Sequence, residues 1–445
     1  MTDTHYLISD LHIGGDEQLE QVDFLEELLA FLRELEERDE DAELIINGDA
    51  FGLWEFTEVD GPAKFDALLE RYPELFEQLR ATGETMPITL IPGNHDYELA
   101  AYDEYVDRLA EYNVTLEQAV TITRSVGDHV VHVEHGMQRD PGNRIPDFGN
   151  PYANPPGYFV NRQITSRAGR LSGRGRYNWL KDIQAVTPMT QIPDWMISNY
   201  FYREMSPLLR YASVPFLLLF NLATLYLGVF LLDWTGVWSL PMTLVQDVLA
   251  LFGPVGDLVN LVLAANLVVI GLLTLISVPL YVFARDVRKT LRRFGLVRPA
   301  DDQDPAEKYV DGAREVFAED PDVAVFVYGH THRPSLTEVG ERVVLNTGTW
   351  LKRLRRVDPV LGVVPAVFYS SYRLNYFRLS PADDGGILVE YEVLDKPDPR
   401  EETLLERLVT RAPAREERIP SRTVVSPGHG DEVDAVEAGE PTAED

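Results

Sequence analysis

Five short polar motifs follow apolar segments of this chain, and their side chains are of the types that bind metal ions. The motifs are Asp10-Leu11-His12, Gly48-Asp49, Gly93-Asn94-His95-Asp96, His135-Gly136 and Gly329-His330-Thr331-His332. They contain five of the nine histidines. Imidazole, carboxylate and amide oxygen together suit two divalent ions held close to one another, with a carboxylate between them. The pattern predicts a two-metal site able to promote attack on a phosphate ester.

The residue types suggest a role for each motif. Asp49 is the predicted bridge between the two ions. His95 is predicted to steady phosphate oxygens or protonate the leaving oxygen, and Asp96 to orient its ring. The other predicted ligands form two shells: Asp10, His12 and His332 for one ion, and Asn94, His135 and His330 for the other. Two carboxylates do not neutralise two divalent ions, so positive charge remains for a phosphate and a bridging hydroxide.

Each motif comes after a short segment rich in β-branched and aromatic residues, as expected of a buried strand. The predicted strands are Tyr6 to Ser9, Glu43 to Asn47, Ile88 to Pro92, Val130 to Glu134 and Val323 to Tyr328. Amphipathic helices are predicted at Leu19 to Glu37, Pro62 to Leu79, Leu99 to Glu111 and Ala306 to Ala318. This alternation indicates a layered α/β domain whose loops meet at one edge of a sheet.

The ordered set of motifs resembles the calcineurin-like metallophosphoesterase superfamily, from Thr4 to about Leu394 with one large interruption. The resemblance implies a four-layer α/β/β/α sandwich and a dinuclear metal site. The stretches from Gly48 to Glu55 and from Gly329 to Pro334 look like the branch that contains the UDP-2,3-diacylglucosamine hydrolases. Those enzymes typically carry Arg at the position of His95 and an acid at that of Gly52. Their substrate is therefore not carried over.

The composition indicates the solvent in which the protein works. The net charge is −32, the isoelectric point is near 4.6, and only six of the 40 basic residues are Lys. This balance predicts a protein from a halophilic archaeon, where molar salt screens surface repulsion over about 3 Å. The alternative is an acidic mesophilic protein that works at ordinary salt concentration. The absence of Cys excludes disulfides and thiolate ligands, and the acidic surface disfavours nucleic acid as a partner.

Two long apolar stretches interrupt the motifs between His135 and His330. Tyr211 to Leu232 and Leu258 to Ala284 each exceed the roughly 20 residues that cross a bilayer as a helix. They predict a transmembrane hairpin; buried core helices or an interfacial lid are the alternatives. Trp238 to Phe252 is too short to span and is predicted as an interfacial or re-entrant piece.

Arginine and lysine flank the outer ends of the pair, whereas the connecting loop carries only acidic charges. By the positive-inside rule both flanks are cytoplasmic. We therefore expect a multi-pass cell-membrane protein with a cytoplasmic catalytic domain, and no signal segment before the first strand.

The predicted organisation is a split enzyme. Residues 1–140 and 301–395 form the two halves of the catalytic domain, 141–300 the insertion, and 396–445 an acidic, disordered tail. One amphipathic helix is expected at Asp398 to Thr410. A strand meander is expected at Val343 to Asn346, Ala366 to Ser370, Tyr372 to Leu379 and Ile387 to Leu394.

Basic side chains stand out in so acidic a chain, and guanidinium groups suit phosphate oxygens. The candidate substrate-binding residues are Arg170, Arg174, Arg176 and Arg333. Setting the membrane topology and solvating the surface are alternative roles for such charges. A second basic group, Lys352, Arg353, Arg355 and Arg356, follows the loop from Asn346 to Trp350.

These observations predict a membrane-anchored phosphohydrolase that uses two divalent metal ions and cleaves a phosphoester or pyrophosphate bond by attack of a bridging hydroxide. Mn is the first choice of metal, and Fe, Ni and Zn also accept this ligand set. A lipid-linked phosphate compound is the candidate substrate, and no protein partner is inferred. The alternatives are a phosphodiesterase or phosphatase acting on a soluble molecule, and an inactive membrane scaffold.

Overall fold

The structure is a computed structural model that describes residues 2–16, 22–165, 182–186, 191–236, 242–293, 306–360, 364–411 and 418–426. In these ranges the strands are β1 Thr4–Ile8, β2 Ala42–Asn47, β3 Ile88–Ile91, β4 Val114–Leu116, β5 Thr121–Val126, β6 His129–Glu134, β7 Val323–Tyr328, β8 Ser335–Val339, β9 Arg342–Asn346, β10 Arg353–Val357, β11 Val367–Ser371, β12 Leu374–Pro381, β13 Ile387–Leu394 and β14 Arg422–Val425.

The α-helices in the same ranges are α1 Leu25–Glu37, α2 Ala63–Arg71, α3 Pro73–Thr85, α4 Glu98–Ala101, α5 Glu104–Ala110, α6 Pro156–Val160, α7 Ile192–Asn199, α8 Pro207–Trp234, α9 Met242–Ala250, α10 Pro254–Arg293, α11 Glu307–Glu319 and α12 Leu404–Val409. Short π-helical segments follow α6 and α7 at Asn161–Thr165 and Tyr200–Glu204.

Two sheets face one another in the catalytic domain. One has seven strands in the order β14-β13-β12-β1-β2-β3-β4, and the other has five in the order β5-β6-β7-β9-β8. A separate hairpin joins β10 and β11. The strands that precede the site pair in parallel, β1 with β2 and β2 with β3 in the first sheet, and β6 with β7 in the second. Parallel pairing brings the carboxyl ends of these strands to the same edge of each sheet.

Successive residues of β1 point to opposite faces of the first sheet and so belong to different cores. Tyr6 and Ile8 pack with α1 and α3 in the outer core, whereas Leu7 lies in the core between the two sheets. On the far side, α11 packs against β7 through Tyr309 and Phe326. The layer order is therefore α/β/β/α, as the resemblance implied.

Several predicted helices are shorter than expected, and two of them show the cause in their sequence. The helix predicted from Pro62 to Leu79 is interrupted at Tyr72, and α3 begins at Pro73. Proline disfavours helical backbone in the preceding residue but fits the first helical position. The helix predicted from Asp398 to Thr410 is confined to α12, where Thr403 and Glu406 form a capping box.

The segment predicted to be a disordered tail contributes a strand. Residues Arg422–Val425 form β14 and pair with β13, and Val425 is buried between the sheets. The tail prediction is wrong for this stretch because the edge of β13 offers backbone partners and the inter-sheet core offers an apolar site. Residues 427–445 lie outside the described ranges.

The insertion contains two long helices, α8 and α10, that contact one another. Within the described residues, one helix is long and apolar enough to cross a membrane, Pro254–Val287, with a mean hydropathy of 2.6 and 11% of its apolar window buried. A second, shorter apolar segment, Leu222–Trp234, lies within α8. The predicted two-helix transmembrane insertion is therefore not confirmed.

Candidate metal centre

The five motif loops meet where the strands of both sheets end. The amides of Asp10 and His12 donate to the carbonyls of Gly48 and Asp49 at 3.1 and 2.8 Å. In the second sheet, the Gly329 amide donates to the His135 carbonyl at 2.9 Å. These backbone bonds hold neighbouring loops at fixed distances from one another. All seven predicted ligands lie together at this edge.

The first group of converging donors comprises Asp10, His12 and His332. Asp10 Oδ1 lies 3.2 Å from His332 Nε2 and 3.8 Å from His12 Nε2, and the two imidazole nitrogens are 3.1 Å apart. Asp10 Oδ1 is buried and accepts no hydrogen bond from the described residues. A buried carboxylate oxygen facing two imidazole nitrogens is a donor arrangement that a divalent ion completes.

The second group comprises Asp49, His135 and His330, with Asn94 between the two rings. Asn94 Oδ1 is 2.8 Å from His330 Nδ1 and 3.3 Å from His135 Nε2. Asp49 Oδ2 is 3.2 Å from His135 Nε2 and 3.6 Å from His12 Nε2 of the first group. One carboxylate thus faces both groups, which is the position that the predicted bridge requires.

The other ring nitrogens of the second group are fixed by partners outside it. His135 Nδ1 lies 2.9 Å from the Asn47 carbonyl, so this nitrogen donates and Nε2 faces the donor group. His330 Nε2 lies 3.0 Å from Asp140 Oδ2, which leaves Nδ1 facing Asn94. Metal-binding imidazoles are usually oriented by such a second hydrogen bond. The donor set and its orientation therefore fit two divalent ions.

Left-handed backbone is concentrated at this site. The described chain contains six non-glycine residues with positive φ. Five of them are predicted ligands: Asp10, His12, Asp49, His330 and His332, with φ between 46° and 66°. Each such residue costs on the order of 1 kcal/mol, and strain of this kind is concentrated at functional sites. The unfavourable backbone conformation at these five residues lowers the stability of the fold but directs their side chains toward a common point.

Two glycines allow the loops to approach so closely. A Cβ on Gly93 would overlap the Asp49 side chain and backbone, and one on Gly48, at φ +79°, would overlap the His135 ring. Glycine is therefore required in both motifs for steric reasons.

The electrostatics of the site keep the carboxylates ionised. Burial by itself would raise the pKa of Asp49, but the neighbouring His135 and His95 rings hold it well below its usual range. Burial would likewise raise the pKa of Asp10, and the neighbouring His12 and His332 imidazoles hold it well below its usual range. Burial disfavours the charged His135 ring, yet Asp49 raises its pKa to about 10. A field that favours a proton at this position also favours a cation.

His95 lies at the rim, beside both groups. Its ring makes an edge contact with His12 at 4.4 Å between centroids and lies 4.6 Å from the Trp54 ring. His95 Nδ1 is 2.8 Å from Glu55 Oε1. Burial lowers the pKa of His95, but Glu55 and Asp49 outweigh this effect and raise it to about 9. The ring is therefore held in one orientation and favoured in its protonated form.

The orienting role predicted for Asp96 is wrong. Its carboxylate accepts the amides of Gly93, Asp49 and Phe51 at 2.6, 3.3 and 3.2 Å. Asp96 is fully buried and fastens the loops to one another, and burial with Asp49 nearby raises its pKa to about 7. Glu55 orients the His95 ring in its place, and Glu55 in turn accepts from Asn161 Nδ2 at 3.0 Å.

The sequence interpretation missed two contributors to the site, Asp140 and Asn161. Asp140 contacts His330, and Lys308 lies 3.7 Å from Asp140. Hydrogen bonding and charge from His330 overcome burial and hold the pKa of Asp140 well below its usual range. Asn161 belongs to the insertion, and Tyr158 of the preceding helix contacts Trp54 at 5.6 Å between centroids. The start of the insertion therefore forms a wall of the site beside His95.

Of the candidate substrate-binding residues, Arg333 alone lies within the described part of the chain. Arg333 follows His332 directly and is exposed. Arg170, Arg174 and Arg176 lie outside the described residues. In the second basic group, Lys352 is buried 2.8 Å from Asp182, and Arg356 is 2.6 Å from Asp194. These two residues join the catalytic domain to the insertion.

Comparison with known proteins agrees with this geometry. The sequence model of the family described as Calcineurin-like phosphoesterase matches residues 4–218. No curated protein sequence matches the chain. The family match over residues 4–218, together with two donor groups that share a carboxylate, supports a relationship to the calcineurin-like phosphoesterases. It is a metal-dependent hydrolase.

Similar solved structures have low sequence identity to this chain. A conserved uncharacterized protein of Streptococcus pneumoniae TIGR4, described as a predicted phosphoesterase, is 11% identical, with 90% of this chain and 94% of that chain covered and a TM-score of 0.27. Vps29 complexed with zinc, from Entamoeba histolytica, is 9% identical over 88% and 92%, with a TM-score of 0.28. Vps29 from Cryptosporidium parvum is 11% identical over 88% and 98%, with a TM-score of 0.23. At these TM-scores the similarities support no inference about activity.

Proposed function

We propose that this protein is a membrane-anchored phosphohydrolase with two divalent metal ions, cleaving a phosphoester or pyrophosphate bond in a lipid-linked substrate. The observation that carries the catalytic part is the position of Asp49 Oδ2, 3.2 Å from His135 Nε2 and 3.6 Å from His12 Nε2. Asp10, His12 and His332 would hold one ion, Asn94, His135 and His330 would hold the other, and Asp49 would serve both.

Two bound ions would neutralise phosphate charge and lower the pKa of a bound water to about 7. The chain itself supplies the remaining functions. His95, protonated beside Glu55, donates a proton or a hydrogen bond to the oxygen that leaves phosphorus. Trp54 packs against the ring and limits its motion and its access to water. Asp140 and the Asn47 carbonyl keep the second-group imidazoles in register.

The membrane part of the proposal is supported by the insertion. Pro254–Val287 is long, apolar and mostly exposed, which in water would leave a large unfavourable apolar surface. The same insertion contributes Asn161 and Tyr158 beside His95. A substrate partly embedded in a bilayer would present its phosphate to this side of the site. The proposed location is the cell membrane, with the catalytic domain on the cytoplasmic side.

Hydrolysis of defined substrates by protein purified in molar KCl with Mn²⁺ tests the proposal. The panel comprises a lipid pyrophosphate, a lipid phosphomonoester and a soluble chromogenic phosphodiester, with Asp49→Asn as the inactive control. Turnover of a lipid substrate supports the proposal. Turnover of the soluble phosphodiester alone supports the alternative, a soluble substrate with the insertion serving only for location. No turnover of any substrate by metal-loaded protein contradicts the assignment.

The arginines at 170, 174 and 176 are proposed to guide the lipid head group. Their joint replacement by Gln should raise KM for the lipid substrate at least as strongly as it affects kcat, because binding in ground and transition states is lost equally. Hydrolysis of the soluble phosphodiester at the same salt concentration is the control and should scarcely change. Equal behaviour of the variant and the parent on both substrates would leave these arginines with a topological role only.

A further inference from the structure

The short helix α12 carries an apolar face that no described residue covers. Leu404 and Leu408 stand four residues apart, and so on one side of the helix, and are 77% and 80% exposed. Val360 lies beside the end of this helix, since its amide donates to the Val409 carbonyl at 2.9 Å, and its side chain is also exposed, at 58%. We call Leu404, Leu408 and Val360 the α12 patch.

The opposite side of α12 packs against residues of both the insertion and the catalytic domain. Leu405 and Val409 pack against the cluster formed by Phe201, Tyr202, Val364 and Val367, and Val214 and Leu217 of α8 pack against the same cluster. Tyr369 Oη and Thr410 Oγ1 are 2.6 Å apart and add a polar link at the end of the helix. The helix is therefore a firmly held part of the catalytic domain rather than a loose extension.

The position of α12 beside the first turns of α8 indicates what covers the patch. Val214 and Leu217 lie inside the apolar stretch that begins at Tyr211, beyond Arg210, whose guanidinium donates to the carbonyls of Phe201 and Met205 at 2.8 Å each. Arginine at the end of an apolar helix marks the headgroup level of a bilayer. A helix packed on the same cluster as Val214 and Leu217 is level with, or inside, that boundary.

The charges on α12 agree with such a position. Arg407 lies between the two leucines in sequence and is exposed, while Glu406 is buried on the inner side. An apolar face flanked by a cation is typical of helices that lie in the lipid interface, where the arginine can reach headgroup phosphates. The first turn of α8 exposes Leu208 and Leu209, at 81% and 61%, next to Arg210.

We propose that the α12 patch inserts into the lipid surface and fixes the orientation of the catalytic domain on the membrane. The proposal rests on the membrane anchoring proposed above and adds a second contact, formed by a segment far from the apolar helices in sequence. Two contacts on one rigid body would hold the metal site at a constant height and tilt, whereas a hairpin alone would allow the domain to rotate.

The absence of Cys from the chain allows a direct test. Leu408→Cys is labelled with an environment-sensitive fluorophore, reconstituted into phosphatidylglycerol vesicles, and compared in vesicles whose acyl chains carry bromine as a quencher. The control is Glu77→Cys on α3, where the side chain is 65% exposed. Both positions are exposed, so neither label should disturb folding, and lipid hydrolysis or metal content verifies this.

We expect bromine to quench the probe at position 408 several-fold more than the probe at position 77. Co-flotation of the protein with vesicles, measured in the same samples, separates the two proposals. If the protein floats but position 408 is quenched no more than position 77, the patch does not touch lipid, although the anchoring stands. If the 408 probe is shielded from water in a concentration-dependent way without quenching, a second copy covers the patch, and the lipid proposal is wrong. Failure to float overturns the anchoring and the patch together.

Discussion

Asp49 has a different environment on each of its two carboxylate oxygens. Oδ2 faces both imidazole groups, whereas Oδ1 accepts the His95 amide at 2.7 Å. The residue therefore ties the loop that carries the proposed acid to the place where the donor groups meet. Its own φ of 52° shows that the loop is held in an unfavourable conformation to achieve this.

Replacement of Asp49 should affect both the metals and the rate. Asp49→Asn keeps the shape of the side chain but removes its charge, so we expect loss of at least one ion and a fall in kcat of several orders of magnitude. Elemental analysis of protein purified without chelator, together with turnover in Mn²⁺, measures both effects. Parent protein without stoichiometric transition metal, or near-normal turnover in the variant, would disprove the assignment of the site.

His95 and Glu55 should instead affect the chemistry while leaving the metals bound. His95→Ala removes the proposed acid and should lower kcat by about 10² to 10⁴ with metal content unchanged. Equal loss of metal in the Asp49 and His95 variants would contradict separate roles for the two residues.

The Glu55–His95 pair also predicts a change in pH dependence. The protonated ring is the active form, so activity should fall as the pH rises through the pKa of His95, which Glu55 and Asp49 raise to about 9 against the effect of burial. Glu55→Gln lowers that pKa, so the basic limb of the kcat profile should move to lower pH. Glu74→Gln, an exposed position on α3, is the matched control and should leave the profile unchanged. An unaltered basic limb in Glu55→Gln would show that His95 is not the group titrated.

Residue types and spacing predicted seven donor residues that the fold brings together, but not the residues that orient them. Asn161 and Asp140 reach partners 106 and 190 positions away in sequence, Glu55 and His330 respectively. Such contacts depend on how loops from different elements cross, and no local pattern encodes that crossing.

Among the elements, β14 shows how a polar segment can belong to a core. Its residues alternate between the solvent and the space between the sheets, and Val425 packs with Ile387 and Val389 in the inter-sheet cluster. The strand completes the seven-stranded sheet at an edge that would otherwise expose β13. It therefore contributes to stability although it follows a charged stretch of sequence.

Two neighbouring valines provide a test of this strand. Val425→Ala removes buried methyl groups and should reduce the free energy of unfolding by about 1–2 kcal/mol. Val424→Ala, at a position that is 52% exposed, is the matched control and should change it by less than about 0.5 kcal/mol. Denaturant unfolding at one fixed salt concentration measures both. Equal effects of the two substitutions would show that β14 is not paired as described.

Strand positions before the motifs were predictable because buried parallel strands are continuous apolar runs. The strands β5, β8, β10 and β14 were not predicted, since they are partly exposed and rich in polar residues. The helix break at Tyr72 follows from Pro73 but was hidden by the apolar period that continues through it.

At the scale of the whole molecule, the catalytic domain is one body made from two separated parts of the chain. The parts before and after the insertion meet in both sheets, as β6 pairs with β7 and β1 with β12. His135 and His330 must reach the same site, so an even number of membrane crossings must lie between them. This constraint holds for two crossings and for none.

Side-specific labelling separates these cases. Single cysteines at Ser239, between α8 and α9, and at Ser335, beside the metal loop, should lie on opposite sides of an intact membrane if the insertion is a hairpin. An impermeant thiol reagent applied to whole cells should then react only at position 239. Permeabilised cells provide the control, in which both positions should react. Reaction at both positions in sealed cells, or extraction of the protein by a high-pH carbonate wash, would exclude a transmembrane hairpin.

The separation of the donor residues has a consequence for biosynthesis. His330 and His332 are translated after α8 and α10, so a nascent chain exposes both long apolar helices before its metal site can be complete. Until then, the first donor group lacks His332 and the second lacks His330. The order of synthesis therefore delays hydrolytic activity until both apolar helices have been synthesised and have had time to reach their final positions. A chain released before His330 would lack an imidazole in each donor group.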